Sequence, residues 1–276
     1  MFFQQRRSRL SRRKSWAKLY IFWGLIILIV IASFLISQRL QQEKALAAEK
    51  QLVTKIIKRY APIQISVSVI NLSTGLSFSA GSPDPFTAAS TSKIILAACL
   101  LRDVEIGKKS LSTQLGSYSA GFQLQQMVQE SNNDSWHAIT SYVGLEGLSE
   151  YAQSIGIHYN VSNNTLTTQD EALFLQKLYT GALLNSQDTQ LLLSYMQNTN
   201  ENTLIPSAVP SDVTVYHKYG WLDNYIHDAA ILIYHNKPII LVIYTKGNTT
   251  TVNKQIQLFK PITEAILKYE FGIIHL

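Results

Sequence analysis

Cysteine is almost absent from this chain, which has one among its 276 residues. A single cysteine cannot pair within the chain, so a disulfide framework is excluded. Cys99 lies in the apolar run Ile94–Leu101, where we expect a buried and inert thiol, because reactive thiols need electropositive, partly exposed surroundings. The six histidines are scattered without the spacing of metal ligands, so we expect neither a metal nor another cofactor.

Acidic residues are missing from the first 18 positions, and this absence explains the basic charge. The formal net charge is +6, from 24 lysines and arginines against 18 aspartates and glutamates. Seven of the basic residues precede residue 19, which leaves 17 basic against 18 acidic residues in the remainder, a balance of −1. The nearly neutral remainder argues against nucleic-acid binding and assigns the basic cluster to membrane topology.

Charge is also absent from residues 19–37, LYIFWGLIILIVIASFLIS. At a rise of 1.5 Å per residue, such a helix covers roughly the 30 Å of a bilayer's hydrocarbon core. We predict a single-pass signal anchor in the cell membrane at 19–37, with residues 1–18 as a basic cytoplasmic tail and the remaining chain outside the cytoplasm. A signal peptide cleaved near Ala45–Ala47 is the alternative, although the apolar run is longer than a typical signal segment.

The remaining chain shows helical and strand patterns that are segregated along the sequence. Residues 38–60 favour helix; we assign 38–49 to a stalk and 50–276 to one folded domain, which we expect to be a monomer. Residues 88–200 have helical patterns, and a final helix, Val252–Tyr269, contains Pro261, which we expect to kink or divide it. Alternation of apolar and polar residues, or short apolar runs, predict five strands: Ile63–Val69, Leu76–Ala80, Val213–Lys218, Ala229–Tyr234 and Ile239–Tyr244.

This order predicts an α+β fold. An antiparallel five-stranded sheet is flanked by terminal helices, an all-helical lobe is inserted into it, and one transmembrane helix precedes it. A cleft between the sheet and the lobe is the expected ligand site.

Three short polar clusters follow one another along the chain: Ser90-Thr91-Ser92-Lys93, Ser131-Asn132-Asn133 and Lys218-Tyr219-Gly220. We predict that Ala88–Leu101 is a buried helix with Ser90 in its first turn, so that Lys93 approaches the Ser90 hydroxyl from the same face. Burial disfavours the ammonium form of a lysine, and a neutral Lys93 can act as general base on Ser90.

Each cluster alone has an ordinary explanation. The first fits a helix-start serine with a surface lysine, the second a turn or helix N-cap, and the third a lysine at a strand end. Two further Ser-x-x-Lys sequences, beginning at Ser11 and Ser15, show how little one such motif means. The order of the three clusters carries the signal.

Taken together, the clusters resemble the class A β-lactamase and penicillin-binding serine hydrolase family over most of residues 50–270. The resemblance implies that Ser90 is acylated by β-lactams or D-alanyl cell-wall peptides, with Lys93 as its base. It also implies that Ser131 relays a proton and that Lys218 is an electrostatic partner of Ser131 and of the substrate carboxylate. Substrate contacts are expected at Asn133, Tyr219, Gly220 and Trp221, where the Trp221 N–H, paired with that of Ser90, forms an oxyanion hole.

The chain also departs from the family pattern. Asn132 replaces the usual aspartate of the second motif, and Tyr219 replaces a short hydroxyl residue that binds the substrate carboxylate. The family's loop glutamate, which activates the deacylating water, has no counterpart, because Gly156–Thr165 contains no acid. The next acids lie in Thr168-Gln169-Asp170-Glu171, which we interpret as a capping box opening the helix Ala172–Tyr179, so Glu171 is not expected to be catalytic.

These observations predict a membrane-anchored serine hydrolase that deacylates slowly. A non-catalytic module on the same fold, binding cell-wall peptide or another envelope protein, is the main alternative. An anchored adhesin with accidental motifs is a third.

Overall fold

The computed structural model describes residues 3–197 and 199–273, with side chains from Tyr20 onward except at Ile21. The chain divides into two units, Met1–Ala47 and Ala48–Leu276. Helix α1 spans Phe3–Arg59. Among the residues searched, one stretch, Phe22–Arg59, is long and apolar enough to cross a membrane, and this composition fits either an anchor or a signal sequence.

The main elements of the second unit follow the order that the sequence predicted. The strands are β1 (Gln64–Asn71), β2 (Ser77–Gly81), β3 (Phe86–Thr87), β4 (Gln114–Leu115), β5 (Tyr118–Ser119), β6 (Thr165–Leu166), β7 (Thr214–Leu222), β8 (Tyr225–Tyr234) and β9 (Lys237–Lys246). The helices are α2 (Lys93–Glu105), α3 (Ala120–Gln129), α4 (Asn133–Val143), α5 (Leu145–Ser154), α6 (Thr168–Tyr179), α7 (Ser186–Gln197) and α8 (Val252–Phe271), with a 3-10 turn at Ile205–Ala208.

Five strands form one antiparallel sheet in the order β2-β1-β9-β8-β7. The predicted α+β architecture is therefore confirmed, with α2 to α7 as the inserted helical lobe between the sheet's strands. Strand β7 lies at one edge, so the backbone on its outer side is free to face the lobe. The short pair β3–β6, which the sequence did not predict, joins Phe86 to Leu166 and Thr87 to Thr165.

Strand β1 is buried on both faces, although alternation of apolar and polar residues predicts a half-buried strand, and that expectation was wrong. Its polar side chains Ser66 and Ser68 are each only 2% exposed. Both hydroxyls lie 2.8 Å from the Thr168 Oγ1 of α6, which satisfies them away from water. Alternating serines here mark the contact with a helix rather than with solvent.

Helix α2 is the centre of the lobe, because every residue from Lys93 to Leu101 is buried. Cys99 lies in this run, 3% exposed, and burial raises the pKa of its thiol to about 12. A thiol of this kind is not a nucleophile at neutral pH. The prediction of a buried, inert cysteine agrees with this placement.

Helix α8 runs through Pro261 without division, contrary to one of the two expected outcomes. A proline in a helix interior removes one hydrogen bond and costs about 3 kcal/mol. Leu258, Phe259 and Ile262 on either side of it are fully buried against the domain. Packing of this apolar face holds the helix together across the missing bond.

Candidate active site

Ser90 lies in a tight turn, residues 88–92, which we call the Ser90 turn. The predicted helix Ala88–Leu101 begins later than expected, at Lys93. The reason is Ala89, whose φ of +52° is incompatible with a right-handed helix. The Lys93 N–H donates to the Ser90 carbonyl at 3.3 Å, so the two residues remain one turn apart although Ser90 is not in the helix.

Lys93 joins the first and second clusters. Its Nζ donates to the Ser131 carbonyl at 2.7 Å and to Asn133 Oδ1 at 2.8 Å, and it lies 3.5 Å from Ser131 Oγ. The residue is 3% exposed, and burial lowers the pKa of its amine to about 8. Because burial lowers this pKa, part of the amine is neutral near physiological pH.

The second cluster starts α4. Ser131 has a positive φ of 54°, and Asn132 is the N-cap, whose Oδ1 accepts a hydrogen bond from the Ser135 N–H at 2.8 Å. An aspartate at the N-cap position would make the same bond, so the asparagine preserves the local structure. The ordinary N-cap explanation and the catalytic one are therefore compatible at this cluster.

Lys218 is fully buried in the middle of β7 and not at a strand end, because that strand continues to Leu222. Burial first, and repulsion by Lys93 second, lower the pKa of the Lys218 amine to about 7, while Asp228 acts in the opposite direction. Its Nζ donates to the Tyr219 carbonyl at 3.2 Å and lies 4.1 Å from the centroid of that ring. The contribution of Lys93 means that the two amines lie within Coulombic range of each other.

Tyr219 links the third cluster to the second. Its hydroxyl donates to Asn200 Oδ1 at 3.0 Å. Burial raises the pKa of this hydroxyl, and hydrogen bonding with Ser131 acts in the opposite direction. The phenol thus occupies the position where the family pattern has a short hydroxyl residue.

Gly220 permits close contact between β7 and the Ser90 turn. A Cβ at this position would lie 3.0 Å from both the Ala88 carbonyl oxygen and the Ser90 nitrogen. The sequence predicts a substrate contact at Gly220. In the structure, the group that lies against this glycine is the Ser90 turn. Any larger residue would push the strand and the serine apart.

A cleft of about 220 Å³ is lined by part of this set, whereas Ser131, Lys218, Tyr219 and Gly220 are not among its lining residues. Four of the predicted site residues line it: Ser90, Lys93, Asn133 and Trp221. Its lining also includes residues that the sequence reasoning missed: Trp136, His137, Asn164 and Leu222. Trp136 lies one helical turn after Asn133 in α4, so helical spacing could have predicted that it lines the cleft. No sequence pattern pointed to Asn164. A larger groove on the lobe, about 590 Å³, contains none of the predicted residues.

The β-lactamase enzyme family has a sequence model that matches residues 48–269 of this chain. The chain belongs to this family. A curated β-lactamase from Proteus vulgaris is 25% identical over 280 residues, covering 88% of this chain and 93% of that protein.

Solved structures of β-lactamase-family proteins have the same fold. A mutant of PBP-A, solved as an acyl-enzyme complex with penicillin G, has a TM-score of 0.76 at 20% identity over 83% of this chain and 98% of its own. A β-lactamase from Xanthomonas campestris has a TM-score of 0.74 at 19% identity, over 79% and 96%. The β-lactamase-like fold implied by the resemblance is therefore confirmed.

This β-lactamase-family cleft lacks a carboxylate among the described residues that line it. Glu171, the glutamate that follows the acid-free segment Gly156–Thr165, is fully buried in α6. The predicted cap is displaced by one residue, because Thr167 and not Thr168 is the N-cap: its Oγ1 accepts from the Asp170 N–H at 3.0 Å and its hydroxyl donates to Asp170 Oδ2. Glu171 does not line the cleft.

Glu171 belongs instead to a buried chain of hydroxyl groups behind the Ser90 turn. The Tyr244 hydroxyl donates to Glu171 Oε2 at 3.1 Å and lies 2.7 Å from Thr91 Oγ1, which donates to the Ala88 carbonyl at 2.9 Å. Burial raises the pKa of Glu171 to about 8, although the Tyr244 hydrogen bond acts in the opposite direction. A neutral carboxylic acid therefore supports the turn from inside the domain at neutral pH.

Substitution Glu171→Gln is expected to change how stability depends on pH. The pKa of Glu171 is raised from an ordinary 4.5 to about 8 on folding. The unfolded chain therefore loses this proton first, and the free energy of unfolding falls as pH rises from about 4.5 to about 8. Glutamine does not titrate, so the variant lacks this decline.

Thermal unfolding of both proteins at pH 5, 6, 7 and 8 measures the difference. The melting temperature of the variant should rise relative to that of the natural protein across this range. Burial also raises the pKa of Glu49, to about 9. Both proteins contain this residue, so its contribution to the pH dependence cancels in the comparison. If melting temperature changed with pH in the same way in both proteins, a buried neutral acid at residue 171 would be contradicted.

Proposed function

We propose that this protein is an extracytoplasmic serine acyl-transfer hydrolase that forms an acyl-enzyme at Ser90 with β-lactams or D-alanyl peptides. The observation that carries the proposal is the set of Lys93 contacts with Ser131 and Asn133 in the cleft that Ser90 lines. These contacts join the candidate base to a candidate relay that is distant in sequence, and the candidate nucleophile Ser90 lines the same cleft as the base. The acyl-enzyme complex that a PBP-A mutant forms with penicillin G supports the choice of acyl donor.

Acylation follows from these positions. Neutral Lys93 takes the Ser90 hydroxyl proton as the oxygen attacks the carbonyl carbon of the substrate amide. The N–H groups of Ser90 and Trp221 stabilise the developing oxyanion. Ser131 then gives its hydroxyl proton to the leaving nitrogen as the C–N bond breaks and receives the proton that Lys93 took from Ser90, which leaves an ester on Ser90 and a neutral Lys93.

The other charged and polar groups hold the substrate. Protonated Lys218 provides positive potential for a substrate carboxylate and for Ser131, and Asn133 offers its amide to the peptide bond. Tyr219 and Gly220 complete this edge of the site. Tyr219 replaces the small hydroxyl side chain of the family, so we infer that the carboxylate is bound mainly by Lys218.

Deacylation is proposed to be slow. Loss of a positioned general base typically costs about 10² to 10⁴ in the step that it serves. The described residues that line the cleft supply no carboxylate for activating water, and Glu171 is buried elsewhere. The acyl-enzyme is therefore expected to persist.

Intact-mass spectrometry of the full chain in detergent, mixed with benzylpenicillin and followed for hours, tests the proposal. We expect one penicillin to be added and to remain. An adduct that disappears within seconds would identify an efficient β-lactamase and overturn slow deacylation. No adduct with benzylpenicillin or with a D-alanyl-D-alanine peptide would favour the non-catalytic binding module.

We further propose that residues 19–37 anchor the protein in the cell membrane, with residues 1–18 in the cytoplasm, 38–49 as a stalk and 50–276 outside. The basic cluster before the apolar helix supports this orientation. Protease added to intact cells should then digest the domain and spare the tail, whereas a fully protected domain would refute the topology.

A further inference from the structure

We propose that Asn164 is a positioning residue that holds the Ser90 turn for acylation and keeps the resulting ester from water. The inference rests on the proposed acylation of Ser90. Asn164 lies in the loop before β6 and α6, and it lines the cleft together with Ala89, Ser90 and Lys93. It occupies the same short segment in which the sequence shows no acid.

Asn164 contacts the Ser90 turn at three points. Its carbonyl oxygen accepts from the Ala88 N–H at 2.8 Å, and its Nδ2 donates to the Ala89 carbonyl at 3.0 Å. Its Oδ1 accepts from the Ser92 hydroxyl at 2.8 Å. Residues on both sides of Ser90 are therefore hydrogen-bonded to one asparagine.

The Ser90 turn needs these hydrogen bonds because part of its backbone has an unfavourable conformation. Ala89 has a φ of +52°, a conformation that alanine rarely adopts. Asn164 itself has a φ of +49°, which asparagine tolerates better than most residues. Residues in sparsely populated conformations persist where surrounding contacts determine them. The Nδ2 bond to the Ala89 carbonyl fixes the peptide group between Ala89 and Ser90. This group contains the Ser90 N–H, one of the two proposed oxyanion donors.

The same side chain is poorly suited to activate water. Besides Ser92, the Tyr159 hydroxyl donates to Asn164 Oδ1 at 2.9 Å. A carbonyl oxygen has two lone pairs, and both are now used. Water beside the Ser90 ester therefore cannot give its proton to this oxygen, and the remaining Nδ2 hydrogen can only donate. Asn164 consequently supports the first half-reaction and not the second.

The inside of the turn is held separately. Thr91 is bound to Tyr244 of β9, and this contact does not involve Asn164. Loss of the Asn164 side chain should therefore leave a folded protein whose Ser90 turn is less well fixed.

Three variants test the proposal: Asn164→Ala, Asn164→Asp and the matched control Asn163→Ala, at the exposed neighbouring residue. Stopped-flow acylation by benzylpenicillin gives the limiting acylation rate constant and the half-saturating concentration separately. We expect the rate constant to fall by about 10²-fold in Asn164→Ala, as for a displaced reacting group, with half-saturation little changed. Aspartate keeps the acceptor but cannot donate to Ala89, so Asn164→Asp should be at least as slow. Asn163→Ala should match the natural protein.

Mass spectrometry then follows release of the penicilloyl group from each adduct. Release should be faster from Asn164→Ala, because removal of the side chain admits water to the ester. A purely structural role would lower the fraction of protein that reacts, without changing the rate constant of the reactive fraction. An unchanged rate constant in Asn164→Ala overturns this inference alone. Absence of an adduct on the natural protein overturns the proposed function and this inference with it.

Discussion

Replacing Ser90 with alanine should lower the rate of adduct formation with benzylpenicillin by about 10⁶-fold, the order of loss that follows removal of a serine nucleophile. The Ser90 side chain lines the cleft, beside Lys93. Lys93 keeps its contacts to Ser131 and Asn133 in the variant, so the site retains its remaining groups without an oxygen to acylate. Intact-mass spectrometry over hours measures the effect.

A matched control exists in the chain itself. Ser15 also stands three residues before a lysine, and Ser15→Ala should form the adduct at the natural rate. Circular dichroism at the same temperature should show that Ser90→Ala is folded. An adduct that forms equally on both variants would place the nucleophile at another residue.

The pH dependence of acylation should be bell-shaped with its maximum between about 7 and 8. Lys93, whose pKa is lowered to about 8, must lose its proton to act as base, so acylation rises through this pH. Lys218, whose pKa is lowered to about 7, must keep its proton to attract the substrate carboxylate, so binding weakens above that pH. The two requirements conflict and give a narrow optimum.

Variants of the two lysines separate the limbs of this profile. Lys93→Ala should reduce acylation by about 10² to 10⁴ and remove the limb that rises with pH. Lys218→Arg retains a positive charge at all working pH values and should flatten the limb that falls. Lys108→Ala, at an exposed lysine, is the control. Stopped-flow acylation from pH 5.5 to 9.5 provides the profiles, and a natural profile that rises without limit to pH 9.5 would exclude a required Lys218 proton.

The five strands of the sheet could be predicted from the sequence, because a strand is marked by a two-residue alternation or a short apolar run within a few residues. Apolar runs such as Ile239–Tyr244 and their turns were sufficient to locate the strands, and the structure extends β7 and β8 by only a few residues. The serine and lysine clusters were predicted as one site from their order, and the contacts of Lys93 bring the first two together.

The errors fall where distant residues override a local pattern. Ala88-Ala89-Ser90 has the composition of a helix start, but Asn164 binds Ala88 and Ala89 and holds Ala89 at a positive φ. Thr168 was assigned as an N-cap, but its hydroxyl binds the serines of β1, and Thr167 caps the helix instead. In both cases a contact made across the fold decided between two locally acceptable structures.

The amino-acid sequence by itself determined the basic segment and apolar helix at the start of the chain, the number of strands in the sheet, and the residue types available for acyl transfer. These features follow from composition and from periodicity within a few residues. Only the tertiary structure decided that Glu171 is buried against Tyr244, that the Ser90 turn is hydrogen-bonded to Asn164, and that the Lys93 amine adds to the effect of burial in lowering the pKa of Lys218. Each of those three depends on groups that are far apart in the chain, and packing of the sheet against the helical lobe is what brings them within hydrogen-bonding or Coulombic range.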